Sequence, residues 1–154
     1  MSALPPLSSP DVNDELTEST VRLRLVSCRV EHARGAMSRA VVEFDGPVGD
    51  ERIEGRKEGS TCPGGDLRLV ALATMDAIQL ATRSALTLEL IGVKPIRAFD
   101  TNIVVVAGIA HHDGKSTRVV GAAIAEEDPL VGTARATLHA VNRLASPLLT
   151  RITA

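Results

Sequence analysis

Two turn-rich loops carry the side chains best suited to bind a small molecule. The candidate ligand-binding residues are Ser60, Thr61, Gly64, Gly65 and Asp66 in the first loop and Glu127, Asp128 and Thr133 in the second. Each loop precedes a predicted helix, and the first amides of a helix have no partner within it, so they can bind a carboxylate. The acidic side chains can hold an ammonium group. Ordinary capped turns are the alternative interpretation of both loops.

The remaining motifs do not form a catalytic, metal or cofactor site. Residues 114–116 (GKS) resemble the end of a phosphate-binding loop, but Ile109 stands where the first glycine would be, and a predicted strand follows. His111 and His112 are neighbours on a predicted strand, so their side chains point to opposite faces and cannot share a metal ion without help from elsewhere. We therefore predict no catalytic residue, no metal and no cofactor.

The two cysteines are too few for a zinc site without further ligands, and neither has a base beside it in sequence. We interpret them as small residues of a strand and a loop. A cluster formed in space would still allow a small enzyme, which stays open as a third alternative. Its members would be Cys28, Cys62, His111, His112 and His139.

The composition restricts the class of protein. A chain of 154 residues fits one domain, and with 44% hydrophobic but only 1% aromatic residues its core must be aliphatic. The lack of aromatic side chains and the net charge of −2 argue against nucleic-acid binding. No apolar run reaches the roughly 18 residues of a membrane-spanning helix, and no signal peptide is evident, so we expect a cytoplasmic protein.

The chain divides into a tail, a domain and a second tail. Residues 1–19 combine proline, serine and acids without periodicity, which predicts a flexible tail. Residues 20–146 form the predicted domain, with halves at 20–84 and 85–146, and residues 147–154 are predicted to be a C-terminal tail.

Each half is predicted to contain three strands followed by a helix. Alternation of apolar and polar residues begins at Val21, and Asp113-Gly114 is typical of a hairpin turn. Asp66 is predicted to cap the first helix. The second is predicted to begin with Asp128 as its cap and Pro129 as its first residue, where the missing N–H of proline costs nothing.

The two halves align with each other. LRLVSCR from Leu23 matches LELIGVK from Leu88, RIEGRK from Arg52 matches RVVGAA from Arg118, and both helices share the pattern A-x-A-T-[ML]-x-A-[IV]. Agreement of strand order, turns and helix pattern indicates an internal repeat. The predicted fold is α+β: two tandem pseudo-symmetric βββα units, each an antiparallel meander covered by one helix.

Homodimerisation is a further expectation. One βββα unit buries too little surface to be stable alone, and a pseudo-symmetric pair tends to leave a surface that a second copy can cover. The first predicted helix is apolar nearly all round, because Leu69, Leu72 and Leu80 lie partly off its main stripe.

Residues 120–144 (VGAAIAEEDPLVGTARATLHAVNRL) resemble the end of the regulatory domain of 2-isopropylmalate synthase. That family has a run of the type G-V-x-x-D-I-I-E-A-S-x-x-A-x-x-x-A-L-N. The matching positions are Gly121, Asp128, Ala136, Ala140, Val141 and Asn142. The family's domain also consists of two βββα repeats, so the resemblance extends over about residues 21–145.

The resemblance implies a function. In that family the domain dimerises and binds the end-product leucine near the dimer interface, which regulates a separate catalytic barrel. This chain would be a stand-alone relative without the barrel. Where the family has a G-D-G-P-V-D-A type motif before its first helix, this chain has residues 59–66 (GSTCPGGD).

These observations lead to two main hypotheses. The first is a non-catalytic regulatory domain that senses a small metabolite such as an amino acid and forms a homodimer. The alternative is an assembly or adaptor module that binds a protein partner without a small ligand.

Overall fold

The computed structural model describes residues 21–47 and 51–153. The tail predicted at residues 1–19 lies outside the described residues. The elements in chain order are β1 (Arg24–Ala33), β2 (Met37–Asp45), β3 (Arg52–Ser60), α1 (Gly65–Ala81), β4 (Thr87–Ala98), β5 (Thr101–His112), β6 (Lys115–Ile124) and α2 (Pro129–Thr153). Neither helix in this part of the chain is long and apolar enough to span a membrane.

The strands form two antiparallel sheets, ordered β1-β2-β3 and β4-β5-β6, and each sheet is followed by one helix. This arrangement confirms the predicted α+β fold of two tandem βββα units. The hairpin at Asp113-Gly114 is also confirmed, because both residues have positive φ, as a tight turn of type I′ requires.

The same irregularity occurs at the same place in both repeats. The pairing of β1 with β2 shifts between Leu25 and Ser27, and the pairing of β4 with β5 shifts between Leu90 and Gly92. These positions coincide when LRLVSCR is aligned with LELIGVK. An extra residue at a bulge switches which side chains point inward further along the strand. In β1 and in β4 this switch occurs at equivalent positions.

Each helix packs unusually close to the third strand of its own sheet. A Cβ added at Gly55 of β3 would lie 2.8 Å from the amide nitrogen of Ala77 in α1. A Cβ added at Gly121 of β6 would overlap the backbone of α2 at Ala136 and Ala140. Only glycine permits this contact, and small alanines on the helix complete it.

The helices form a layer between the two sheets. Ala77 of α1 faces Gly55 of the first sheet, whereas the Met75 side chain lies against Gly108 of the second sheet. These two helix positions are about 200° apart, so α1 is covered on opposite sides. Each helix also contacts the other helix and the first strand of the other repeat.

The core is aliphatic as predicted, with Phe44 as its one aromatic side chain and Phe99 exposed.

The prediction of a C-terminal tail at residues 147–154 is wrong, because α2 continues to Thr153. A proline inside a helix removes one hydrogen bond and crowds the preceding turn. Pro147 is nevertheless accommodated, since it is exposed and the next residues, Leu148 and Leu149, are buried in the core. Burial of two leucines outweighs the local cost of the proline.

The glycine contact can be tested by a pair of substitutions. Gly55→Ala should lower the free energy of unfolding by roughly 1–3 kcal/mol, because α1 must move away from β3. Gly92→Ala is the matched control: its Cβ would meet nothing within 4 Å, and its φ is not positive. Urea denaturation of both variants measures the difference, and equal losses of stability would contradict the close contact.

Candidate functional site

The end of the first sheet and the start of α1 form a cluster of polar side chains. Strand pairing sets His32 of β1 opposite Ser38 of β2, and Ser38 opposite Gly59 of β3. Thr61 follows β3 directly, and its amide donates to the carbonyl oxygen of Ala36 at 2.7 Å. The loop is thereby held against the β1-β2 hairpin.

A chain of hydrogen bonds links this cluster. His32 Nδ1 lies 2.9 Å from Ser38 Oγ, and Ser38 Oγ lies 2.6 Å from Thr61 Oγ1. The other ring nitrogen of His32, Nε2, lies 3.7 Å from Asp66 Oδ2. Ser38 is 1% exposed. Its hydroxyl therefore orients its neighbours and is not accessible as a nucleophile.

The start of α1 differs from the prediction. The N-cap is Gly64, with φ of 75°, and no side chain caps the helix. Asp66 does not cap; it lies in the first helical turn, where its charge still favours the helix dipole. The amide of Gly65 donates to the carbonyl oxygen of Cys62 at 2.9 Å, so the two glycines shape the turn itself.

The start of α2 is closed by its own residues. Asp128 caps it as predicted, since its Oδ1 accepts from the amide of Leu130 at 2.9 Å. The buried hydroxyl of Thr133 donates to the carbonyl oxygen of Pro129 at 2.7 Å. Glu127 is exposed. Because the Asp128 carboxylate already accepts from an amide at this helix start, it disfavours a ligand carboxylate here.

The structure does not merge the two loops into one site. Asp66 of the first loop lies beside His32, whereas Asp128 of the second loop acts electrostatically on Cys28. His32 and Cys28 are four residues apart on β1, which is about 13 Å along a strand. Of the residues predicted from sequence, Thr61 and Asp66 converge with His32. Glu127, Asp128 and Thr133 instead lie at the start of α2, and Asp128 acts on a different part of β1, at Cys28.

Cys28 is a poor nucleophile. Burial raises the pKa of its thiol to about 12, and the negative charge of Asp128 contributes to the increase. A thiolate is the reactive form of cysteine, so almost none is present near neutral pH.

The histidines named in the small-enzyme alternative each have a different local partner. His111 contacts Ser116 and Glu89, the ring of His112 contacts the carbonyl oxygen of Ala85, and His139 accepts from the amide of Ala122. Within the described residues, no three His, Cys, Asp or Glu side chains come together as metal ligands.

A broad cleft between β6 and α2 was not anticipated from the sequence. It has a volume of about 770 Å³ and contains the basic side chains of Arg22, Arg118, His139 and Arg143. These four basic residues are distant in the chain: one precedes β1, one lies on β6 and two lie on α2. Their positive charge suits an anion, but their spacing in the sequence does not predict that they lie close together.

His32 and Ser38 are the members of the polar cluster that the sequence interpretation missed. The alternation of side chains along β1 could have indicated them, because it places His32 on the same face as Val30 and opposite the start of β2.

No family model matches this chain, and no curated protein matches it significantly. The candidate site is therefore assigned from its geometry.

The difference between the two cysteines is open to chemical test. Iodoacetamide at pH 8 should modify exposed Cys62 first, and should modify Cys28 more than about 100-fold more slowly, because its pKa of about 12 leaves few thiolates. Mass spectrometry of a time course, with and without urea, measures both rates. Rapid modification of Cys28 in the folded protein would contradict its assignment as a buried thiol.

Proposed function

We propose that this chain is a non-catalytic regulatory domain that senses a small carboxylate-bearing metabolite, such as an amino acid, and acts as a homodimer. The observation that carries the proposal is the uncapped start of α1 beside Asp66 and His32. Helix amides and the positive end of the helix dipole suit the carboxylate of an amino acid. The carboxylate of Asp66 suits its ammonium group.

The contrast between the two helix starts supports this location. Asp128 accepts a hydrogen bond from the Leu130 amide at the start of α2, whereas Gly64 has no side chain to do the same for α1. Thr61 and His32 are held in place by buried Ser38, which reduces the ordering needed on binding. The resemblance of residues 120–144 to a leucine-binding regulatory domain favours the same class of ligand.

The second candidate is an assembly module without a small ligand. It is favoured by the exposed apolar side chains on the second sheet, among them Ile96, Val120 and Ile124. The two candidates differ in whether the chain binds a small metabolite or a protein partner.

A thermal-shift screen against amino acids and related carboxylates, followed by calorimetry, tests the sensing function. At a ligand concentration of 100 times Kd, binding adds about 2.7 kcal/mol of stability, which raises Tm by about 5–10 °C for a domain of this size. Asp66→Asn keeps the shape of the first turn but removes the charge, and should weaken binding at least about tenfold.

Glu127→Gln is the matched control, because it removes the same charge at the start of the other helix and should leave binding unchanged. An absence of response across the panel would contradict sensing and favour the assembly module. Loss of binding in Arg143→Ala, with Asp66→Asn unaffected, would instead place the ligand in the cleft between β6 and α2.

A further inference from the structure

The outward faces of the two sheets occupy equivalent positions in the repeats but differ in chemistry. The outward face of the first sheet is charged, and its side chains are ion-paired across the strands. Arg29 and Arg52 both lie within 3.6 Å of Glu43, and Arg39 pairs with Glu58. This is the usual composition of a sheet face in water.

The corresponding face of the second sheet is mainly apolar, with Glu89, Lys94 and Arg118 as its charged side chains. Its side chains form rows across β4, β5 and β6, which the strand register gives as Ile96-Ile103-Ile124, Lys94-Val105-Ala122, Gly92-Ala107-Val120 and Glu89-Ile109-Arg118. We name these residues the apolar face. Val120 is 61% exposed and Ile124 is 63% exposed. The helices pack on the opposite side of this sheet, where Val104 and Val106 are buried.

We propose that the apolar face binds a second copy of this chain, with a two-fold axis running along β5. Such an axis exchanges β4 and β6, so each residue of β4 meets the β6 residue of its own row in the partner. Glu89 would meet Arg118, Gly92 would meet Val120, and Ile96 would meet Ile124. These three pairs are complementary in charge, in size or in apolar character. In the remaining row, Lys94 of the edge strand β4 would extend past Ala122 to solvent.

The size of the face allows a small dimer interface. Its four rows extend along β5 from Ile103 to Ile109, about 24 Å, and three strands are about 14 Å wide. Two such faces cover roughly 700 Å² in projection, and exposed side chains such as Val120 and Ile124 add to the accessible area that stacking would bury, which places the interface at the low end of the specific range. Sheets stacked face to face pack about 10 Å apart, and Ala107 on the axis with Ala122 beside it allows this approach.

This inference rests on the homodimer of the proposed function and gives that dimer its interface. It does not depend on the ligand, because the polar cluster at His32 and Asp66 belongs to the first repeat. Binding of a metabolite and formation of the dimer are therefore measured separately on Ile124→Lys, which alters neither the polar cluster nor the cleft between β6 and α2.

Sedimentation velocity of the full chain over a range of concentrations tests the interface. Ile124→Lys should raise the dimer dissociation constant by at least about 100-fold with an unchanged circular-dichroism spectrum, since this position is exposed. Leu80→Lys introduces the same charge at a position 57% exposed on α1, away from the apolar face, and should leave the dimer intact.

A charge exchange tests the axis itself. Glu89→Arg and Arg118→Glu should each weaken the dimer at least about tenfold by placing like charges together, and the double variant should restore it. A monomeric wild type overturns the proposal. That result would mean that residues 1–20 or another protein covers the apolar face. A dimer unaffected by Ile124→Lys also overturns it, and does so without bearing on amino-acid binding by the same protein.

Discussion

The contact between a glycine of the third strand and two alanines of the following helix governs this fold. Gly55 with Ala73 and Ala77 makes it in the first repeat, and Gly121 with Ala136 and Ala140 makes it in the second. Each helix backbone is thereby drawn tightly onto its own sheet. The opposite side of the helix is then free to be covered by the other repeat, as Met75 of α1 is by β5. Two units that are individually too small to be stable become one three-layer core.

The shared scaffold leaves the starts of the helices free to differ. Both repeats end their third strand near the start of a helix, but one helix receives a carboxylate cap from Asp128 and the other begins at a bare glycine, Gly64. An aspartate acceptor lowers the free energy of the helix and occupies the amides that a ligand would need. The repeat that is less well capped is therefore the one where we propose that a ligand binds, and the buried hydroxyl of Ser38 orients the surrounding side chains.

Local patterns predicted the order of the elements, because alternation along strands and helical spacing of apolar residues do not depend on distant contacts. The polar cluster was missed because it depends on the ends of the strands. β2 begins at Met37 and β3 ends at Ser60. These end residues bring Ser38 opposite His32. Their polar, glycine-containing sequence is typical of a loop, and only pairing across the sheet makes them strands.

The unlike outer faces of the two sheets also determine how far self-association can proceed. They lie on opposite sides of the helix layer, so a protein with two apolar faces would have two binding valencies and would stack into an open filament. The ion-paired arginines and glutamates make the outer face of the first sheet unsuitable for apolar stacking, so one of the two faces cannot bind another copy. With a single apolar face, the proposed assembly would close at a pair. The charges of the first repeat would thus prevent the open-ended growth that two apolar faces would allow.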